Sequence, residues 1–556
     1  MSKKLDDFAT IDIETDATGK PTEFGFYDGI EFKIFYEIEE FVMFILERGG
    51  TYYAHAGMRF DYCIIYSKLM EKVDKIDVST SGTQGIYMAV KYKSKYTFLL
   101  DSYRLVPASL ASLTKQFNTT VKKQQLGVMP WELSAVDRAD YLKDDCISLY
   151  LVLQKFWEVI DTNFSVEGKK IRAVTLASLA LKVYNIRFLP KVLETSRSNK
   201  IHTSSGKLEA FESRSYFGGL VWVSDEFSGK LLDDITVYDV NSMYPYAMVQ
   251  HKYPLSYIGA WTDRFNPKSV GLWHIEYEDF SGVPFIFDII SKSLARSGEA
   301  IVDTDTYLYL VKLRATVKLK IGYIYQQTDY IFKEFVETCY GIRMQYGSAS
   351  PLGFTSKILM NSLYGKFAEK PIKRVLTSVQ PADVNGAKIY TSGGVADGKE
   401  FYDYFKEVFL IHRFPVISSL VTLRSRLHLR QLVDSVKGDV VYLDTDSIHI
   451  FNDQASFEHS TLLGGLKKEF TGKAIYLGKK LYQLFNLDDT AYKIVAKGIP
   501  QKSAIALDLR EIDQTQGAKV CYGTFTSLLT VVKDPIAPFC YQTKHRTVRN
   551  TVKSVN

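Results

Sequence analysis

Certain acidic side chains sit in apolar runs where a bare charge would be costly to bury. Asp12 and Glu14 stand two apart in the strand-like run Ala9 to Ile13 and beyond. Strand alternation therefore sends both carboxylates to one face and one spot. Two acids so placed repel each other, and cations, protons or water must share the site. Hard oxygen ligands favour Mg2+ or Mn2+. The D-x-E pair alone is common on solvated strand faces. Asp61 follows Phe60, and Asp145 lies four residues after Tyr141 in a helical pattern, so phenol and carboxylate share a helix face. Farther along, Asp239 interrupts an apolar strand ended by Pro245. Asp444 and Asp446 bracket one turn between the flanks Val440 to Val441 and Ile448 to Ile450. Between them, Lys357, Asn361 and Tyr364 fall at i, i+4 and i+7, which predicts one face of a helix. Acids that gather cations, with a lysine and polar side chains alongside, suit phosphoryl transfer, which needs charge neutralisation and in-line alignment more than covalent chemistry.

The elements that must position these groups are legible in outline. Apolar strands near Ala9 to Ile13 and Thr51 to His55, with a helical pattern from Tyr141 through Trp157, predict an α/β first domain. A polar stretch around Asn163 to Lys170 predicts its boundary. At 556 residues the chain exceeds what one core holds, and 46% hydrophobic with 24% charged residues is the balance of a globular enzyme. The formal charge of +6 suits a polyanionic partner without establishing one. Near the C-terminus Lys544, His545, Arg546, Arg549 and Lys553 occur without an acid, as a strand along phosphates or an ordinary solvated tail would. Cys63, Cys146, Cys339, Cys521 and Cys540 are scattered, so neither a disulfide framework nor a zinc site is expected. No apolar run reaches membrane-spanning length and no signal segment opens the chain, which predicts a protein neither secreted nor membrane-bound. Gly393, Gly398 and Lys399 approximate a P-loop, but Glu400 stands where a Ser or Thr is needed, and the segment is expected to be a turn.

Taken together, D-x-E at Asp12 and Glu14, F-D at Phe60 and Asp61, and Y-x-x-x-D at Tyr141 and Asp145 resemble the three motifs of the DnaQ-like 3′→5′ exonucleases attached to family B DNA polymerases. The resemblance implies that Asp12, Glu14, Asp61 and Asp145 hold two metals about 4 Å apart, with Tyr141 orienting the attacking water. Lys123 falls where protein-primed members carry a phosphate-contacting lysine. The second motif departs from the family, since no Asn precedes Phe60 in His55 to Asp61; this leaves Arg59 as a substitute for holding the 3′ end. Phe60 and Thr15 are candidates for contact with single-stranded ends.

The segment from Tyr238 to Pro245 resembles motif A of family B, Lys357 to Gly365 matches motif B (K-x-x-x-N-S-x-Y-G), and Tyr442 to Ser447 matches motif C. The resemblance implies metal ligation by Asp239, Val240 and Asp446, with Asp444 supporting. The incoming nucleotide would meet Val240, Tyr244, Lys357, Asn361 and Tyr364, and Tyr244 would reject ribonucleotides as a steric gate. Gly353 leaves no second lysine one turn before Lys357, so Arg343 is expected to assist. Tyr216, Gly218 and Gly219 match Y-x-G-G; Thr422 and Arg426 resemble T-x-x-A/G-R, with Ser425 in the small position; Lys480 and Tyr482 match K-x-Y. All are expected DNA contacts.

Length, Lys123 and two insertions resemble the protein-primed subgroup of small linear-genome phages. The fold implied is an RNase H-like α/β exonuclease domain over 1–165 and a right-hand α+β polymerase domain over 166–556. Its palm would cover about 166–248 and 412–507, the first insertion about 249–335, the fingers about 336–370, the second insertion about 371–411 and the thumb about 508–556. The implied partners are template and primer DNA, deoxynucleoside triphosphates and a terminal-protein primer, met by a monomer in the host cytoplasm. The alternatives are a family B polymerase that extends nucleic-acid primers and a non-catalytic DNA-binding relic. A relic would be expected to have lost carboxylates that this chain keeps.

Overall fold

The computed structural model describes residues 5–81, 84–124, 126–189, 206–378, 394–396, 399–408, 410–454, 457–458, 460–512, 518–525 and 541–548. The N-terminal part opens with β1 (Phe8–Thr15), β2 (Pro21–Tyr27), β3 (Phe32–Phe35), α1 (Ile38–Arg48), β4 (Gly50–Ala54), α2 (Asp61–Lys72), β5 (Lys75–Ser81), β6 (Gln84–Tyr92) and β7 (Lys95–Asp101). Two helices follow, α3 (Leu110–Gln116) and the 29-residue α4 (Ala135–Asn163). The strong apolar run of β1 is explained by its place: it is an inner strand, parallel to β4 and antiparallel to β2.

Helix α4 lies against β1 and β2. Ser134 caps it by accepting from the Asp137 amide, and Leu142, Cys146, Leu149, Val152, Leu153, Phe156 and Ile160 form its buried stripe. Close approach is possible because Gly25, the β2 partner of Asp12, has no side chain; a Cβ there would lie 2.8 Å from Cys146 Sγ and 2.9 Å from Leu142 Cγ. This contact brings Asp145 over the D-x-E face of β1.

The same sheet continues past β5 into strands Ile372–Thr377 and Lys399–Glu407, which come from the second insertion expected in the sequence. Arg374 on the first holds Asp403 on the second through Nε at 2.9 Å and Nη2 at 2.5 Å. The insertion is thus joined to the N-terminal sheet by main-chain hydrogen bonds. Of the P-loop-like segment, Gly393 and Gly398 lie outside the described residues.

After helix α5 (Leu176–Arg187), strands β8 (Val221–Val223) and β9 (Leu231–Val240) belong to a second sheet. Its order is Ala491–Ala496, Leu481–Phe485, Leu466–Gly478, β9, Ser447–Phe451, Asp439–Asp444, β8. Helix Pro415–Val433 packs with helix Met243–Gln250 and is buried along most of its length. It carries three buried arginines with internal partners. Arg424 pairs with Asp303 at 3.3 Å, and Arg426 donates to the Gly218 carbonyl at 2.7 Å. Arg430 pairs with Asp434 at 2.8 Å and donates to the carbonyls of Val283 and Ser281. Asp303, Ser281 and Val283 lie in the first insertion, which folds as a four-stranded sheet with helix Thr304–Lys312. Helices Lys333–Tyr346 and Pro351–Ser362 pack on each other, the first also against helix Met243–Gln250 and the second against α4 and α5. The final described strands, Ala518–Phe525 and Tyr541–Val548, pair as an antiparallel ribbon. Lys544 and Arg546 lie on it, while Arg549 and Lys553 lie outside the described residues.

Gly25→Ala is expected to lower stability by about 1–3 kcal/mol, the range for overpacking an interior contact. A thermal melt of the purified variant against the parent checks it; an unchanged midpoint would mean that Cys146 and Leu142 move aside freely.

Candidate active sites

The N-terminal cluster assembles from three elements. Ligand oxygens of Asp12, Glu14 and Asp145 lie within 4.8 Å of one another. Asp61, at the start of α2, is 2% exposed and accepts from the Ile13 amide at 3.0 Å, which locks it beneath β1. Lys123 Nζ meets Tyr141 Oη at 2.5 Å and ion-pairs with Asp145 Oδ2, so both sequence-expected partners stand beside the acids. Burial, then the negative charges of its neighbours, holds Asp12 well above the usual carboxylate range. The same causes push Glu14 to about 8, and burial with the Asp101 charge pushes Asp61 to about 7. Asp145 Oδ1 is buried without a hydrogen-bond partner. An orphan carboxylate oxygen among mutually repelling acids fits a hard cation in donor type and charge.

Other expected residues are placed less uniformly. Arg59 is exposed with its guanidinium 5.3 Å from the centre of the Tyr103 ring. Phe60 is partly buried against the domain core, and Thr15 is only 4% exposed, so its side chain offers little surface to a DNA end.

The second cluster forms where β9 meets the hairpin of Asp439–Asp444 and Ser447–Phe451. Asp239 is the cross-strand partner of Ser447, and the Val240 amide donates to the Asp446 carbonyl at 2.7 Å. Burial followed by the Asp446 charge raises Asp239 to about 7; burial with the Asp444 charge raises Asp446 to about 6. The positive charge of Lys357 acts on both in the opposite sense. Asp444 differs from the other two: Lys480 Nζ holds both its oxygens, at 2.8 and 3.0 Å. These acids line a cleft of about 570 Å3.

Three non-glycine residues here have left-handed backbones, Ser242 with φ 54°, Thr445 with φ 64° and Lys480 with φ 58°. A β-branched residue in this region is strained and needs support. Thr445 has it: its amide donates to the Leu220 carbonyl at 2.7 Å and its hydroxyl to Asp444 at 3.2 Å. Gly219 makes room for it, since a Cβ there would meet Thr445 Oγ1 at 2.7 Å and Tyr244 Oη at 3.0 Å. Gly218, by contrast, faces open space. Tyr244 lies against Tyr364, ring centres 4.4 Å apart. The helix carrying Lys357 and Asn361 ends at Ser362, whose hydroxyl bonds back to the Ile358 carbonyl, so Tyr364 sits just past it in a tighter turn. Arg343 reaches this neighbourhood, donating to Ser242 Oγ at 2.9 Å.

Three expected DNA contacts are largely internal. Thr422 is 1% exposed and bonds the Ser419 carbonyl. Arg426 is 3% exposed and clamps the loop of Tyr216 to Gly219 through the Phe217 and Gly218 carbonyls, while burial lowers it to about 10. Tyr482 is 6% exposed in a cluster with Tyr442, Tyr476 and His449. Tyr216 is half-buried near Tyr244.

Sequence reading missed Glu469. It is the extra residue of a β-bulge, because Lys468 pairs with Tyr238 and Phe470 with Val237. The bulge re-aims it into the cleft, where its charge is the next influence on Asp239 after that of Asp446. Nothing in Leu466 to Phe470 marks a bulge.

The sequence family described as DNA polymerase type B, organellar and viral, matches residues 42–129 and 134–405. The chain is 26% identical over 527 residues to the DNA-directed DNA polymerase of Enterobacteria phage PRD1, covering 88% of this chain and 84% of that protein. To the DNA polymerase of Bacillus phage phi29 it is 24% identical over 466 residues, 76% of this chain and 75% of that one. A probable DNA polymerase of Ascobolus immersus is 25% identical over 515 residues, but the chain covers only 41% of its length. Among solved structures, phi29 DNA polymerase complexed with primer-template DNA shares the fold, with a TM-score of 0.71 at 18% identity over 98% of this chain and 100% of that one. The match over more than half its length makes the chain a member of the organellar and viral type B DNA polymerases. Its fold is that of phi29 DNA polymerase.

Two outcomes are expected. Glu14 and Asp61 bind protons more tightly when folded than unfolded. Their ionisation therefore opposes folding as pH rises from the ordinary carboxylate range through about 7 to 8. In chelator, Glu14→Gln should melt several degrees above the parent at pH 8 and together with it at pH 4; equal midpoints at both pH values refute the repulsion. Separately, Gly219→Ala should cut primer extension roughly 10- to 100-fold, the loss expected when reacting groups shift by about 1 Å, and Gly218→Ala should cost less than about 3-fold. Parallel assays decide between them.

Proposed function

We propose that the chain is a DNA-directed DNA polymerase with a 3′→5′ proofreading exonuclease, acting in protein-primed, strand-displacing replication of a linear viral genome. One observation carries this reading: Asp239 on β9 and Asp446 on the turn beside it converge in one cleft, with the positive charge of Lys357 acting on both. The second acid cluster, on a separate domain, supports a separate nuclease activity. The PRD1 and phi29 relatives, both DNA polymerases, support DNA synthesis.

Asp239, Asp446 and the Val240 carbonyl would hold divalent cations, Mg2+ or Mn2+, in the polymerase cleft, and Asp12, Glu14, Asp61 and Asp145 would do so in the exonuclease. Bound there, such ions acidify the attacking hydroxyl or water and neutralise phosphate charge. Lys357 adds positive charge on the triphosphate side, with Arg343 nearby. Tyr244, backed by Tyr364, occupies the space of a ribose 2′-hydroxyl and selects deoxynucleotides. Asn361 and Tyr364 bear on the nascent base pair. In the nuclease, Tyr141 orients water and Lys123 contacts the phosphate. Lys480 and Tyr482 lie toward the primer terminus. Tyr216, Gly218 and Gly219 shape the approach of the template, and Thr422 and Arg426 act on DNA indirectly, by holding that loop. The partners are template and primer DNA, deoxynucleotides and a terminal protein whose hydroxyl takes the first nucleotide. The enzyme works as a monomer in the host cytoplasm; among the described residues no helix is long and apolar enough to cross a membrane.

Primer extension and degradation on one labelled template with Mg2+ test the reading. Asp446→Ala should lose extension by at least about 10^3-fold and keep degradation, and Asp12→Ala with Glu14→Ala should do the reverse. A wild-type protein active in neither assay with either ion would overturn it.

A further inference from the structure

Beyond the acids, the polymerase cleft runs over Val237, Phe470 and Leu484 to Tyr492 and Lys493. This far end has no role in the reading above. Tyr492 is 53% exposed, although its ring stacks on Phe470 with centres 4.6 Å apart and planes at 26°. One face of the ring is spent on the core and the other is offered to the cleft.

The local register shows why it is there. Leu484 pairs with Lys493 and Phe485 with Ala491, so Tyr492 is the unpaired residue of a bulge in strand Ala491–Ala496. A regular strand would send Tyr492 and Lys493 to opposite faces; the bulge lets both line the cleft. Burial first, and then the charge of Lys493, lower the imidazole of His449, another cleft residue, to about 3. Glu469 reaches the same cleft by a bulge in the next strand but one. An exposed ring over an apolar floor, with Lys493 beside it, has the chemistry that meets a nucleic-acid strand: rings meet nucleosides and ammonium groups meet phosphates.

We propose that Tyr492, carried on its bulge and backed by Phe470, is a positioning residue that contacts one nucleoside of the primer strand upstream of the 3′ end, with Lys493 on an adjoining phosphate. This rests on the polymerase reading of the cleft. The contact does no chemistry; it holds the primer in register with Asp239 and Asp446.

The test is a set of binding titrations of full-length protein in chelator, by fluorescence anisotropy. The DNA is a primer-template with a single abasic nucleotide moved stepwise along the primer. Tyr492→Leu and Tyr492→Met keep an apolar cover on Phe470, and thermal melts of each verify the fold. Both should weaken binding of intact DNA roughly 5- to 10-fold, the low end for a base on an aromatic ring, while Tyr492→Phe stays within about 2-fold. At one primer position, or two adjacent ones, the abasic site should weaken the parent by a similar factor and leave Tyr492→Leu unchanged. Lys493→Met should reduce the slope of log affinity against log salt by about one, and Tyr492→Leu should leave that slope alone. Abasic losses that simply add to the Tyr492→Leu loss at every position would overturn the proposal, as would parent-like binding by Tyr492→Leu and Tyr492→Met. Failure of the wild type to bind or extend the intact primer with Mg2+ would instead sink the polymerase reading, so the two failures are distinct.

Discussion

Carboxylates that repel one another, held together where water is largely removed, set the terms for the rest of this molecule. Asp12, Glu14, Asp239 and Asp446 are pushed up by burial first and by their acidic neighbours second. Such a cluster persists only if the surrounding frame is stiff enough to stop it spreading and if positive charge stands close by. The N-terminal cluster uses an inner strand, the Ile13 amide and Lys123. The second uses a strand junction, with Lys480 bound to Asp444 and the charge of Lys357 acting on Asp239 and Asp446. A frame built to hold like charges apart from water is also one prepared to receive cations and phosphates.

Stiffness in the second domain comes largely from one buried helix. Pro415–Val433 sends Arg424 and Arg430 into the first insertion and Arg426 into the loop ahead of β8. Buried arginines are costly unless fully partnered, and each here has a carboxylate or carbonyl partner. The loop that Arg426 holds then sets Gly219 against Thr445 and Tyr244. Strain at Thr445 is thereby kept in place by packing that begins on the far side of the helix, a continuous path from the insertion to the acid turn.

The acids themselves were legible in the sequence because a charge in an apolar run needs an explanation that local structure alone does not supply. The strand of Asp12 and Glu14, the helix of Tyr141 and Asp145 and the turn of Asp444 and Asp446 all have local signatures, and they form the elements expected. The motif of Thr422 and Arg426 implies DNA contact, yet both side chains are buried, because a motif records residue types without recording burial. The second insertion gave no sign that it would extend the N-terminal sheet, since its partner β5 lies some three hundred residues earlier.

What the sequence by itself determined is the inventory and its local geometry: which acids share a strand face, which lysine shares a helix face with Asn361, where hairpins turn. Those follow from periods of two and 3.6 residues, which short-range sterics impose. Tertiary structure alone decided which charges face one another, that Lys480 would hold Asp444, and that bulges would turn Glu469 and Tyr492 into the cleft. A bulge is a mismatch between two strands, and it has no existence in either strand until they pair.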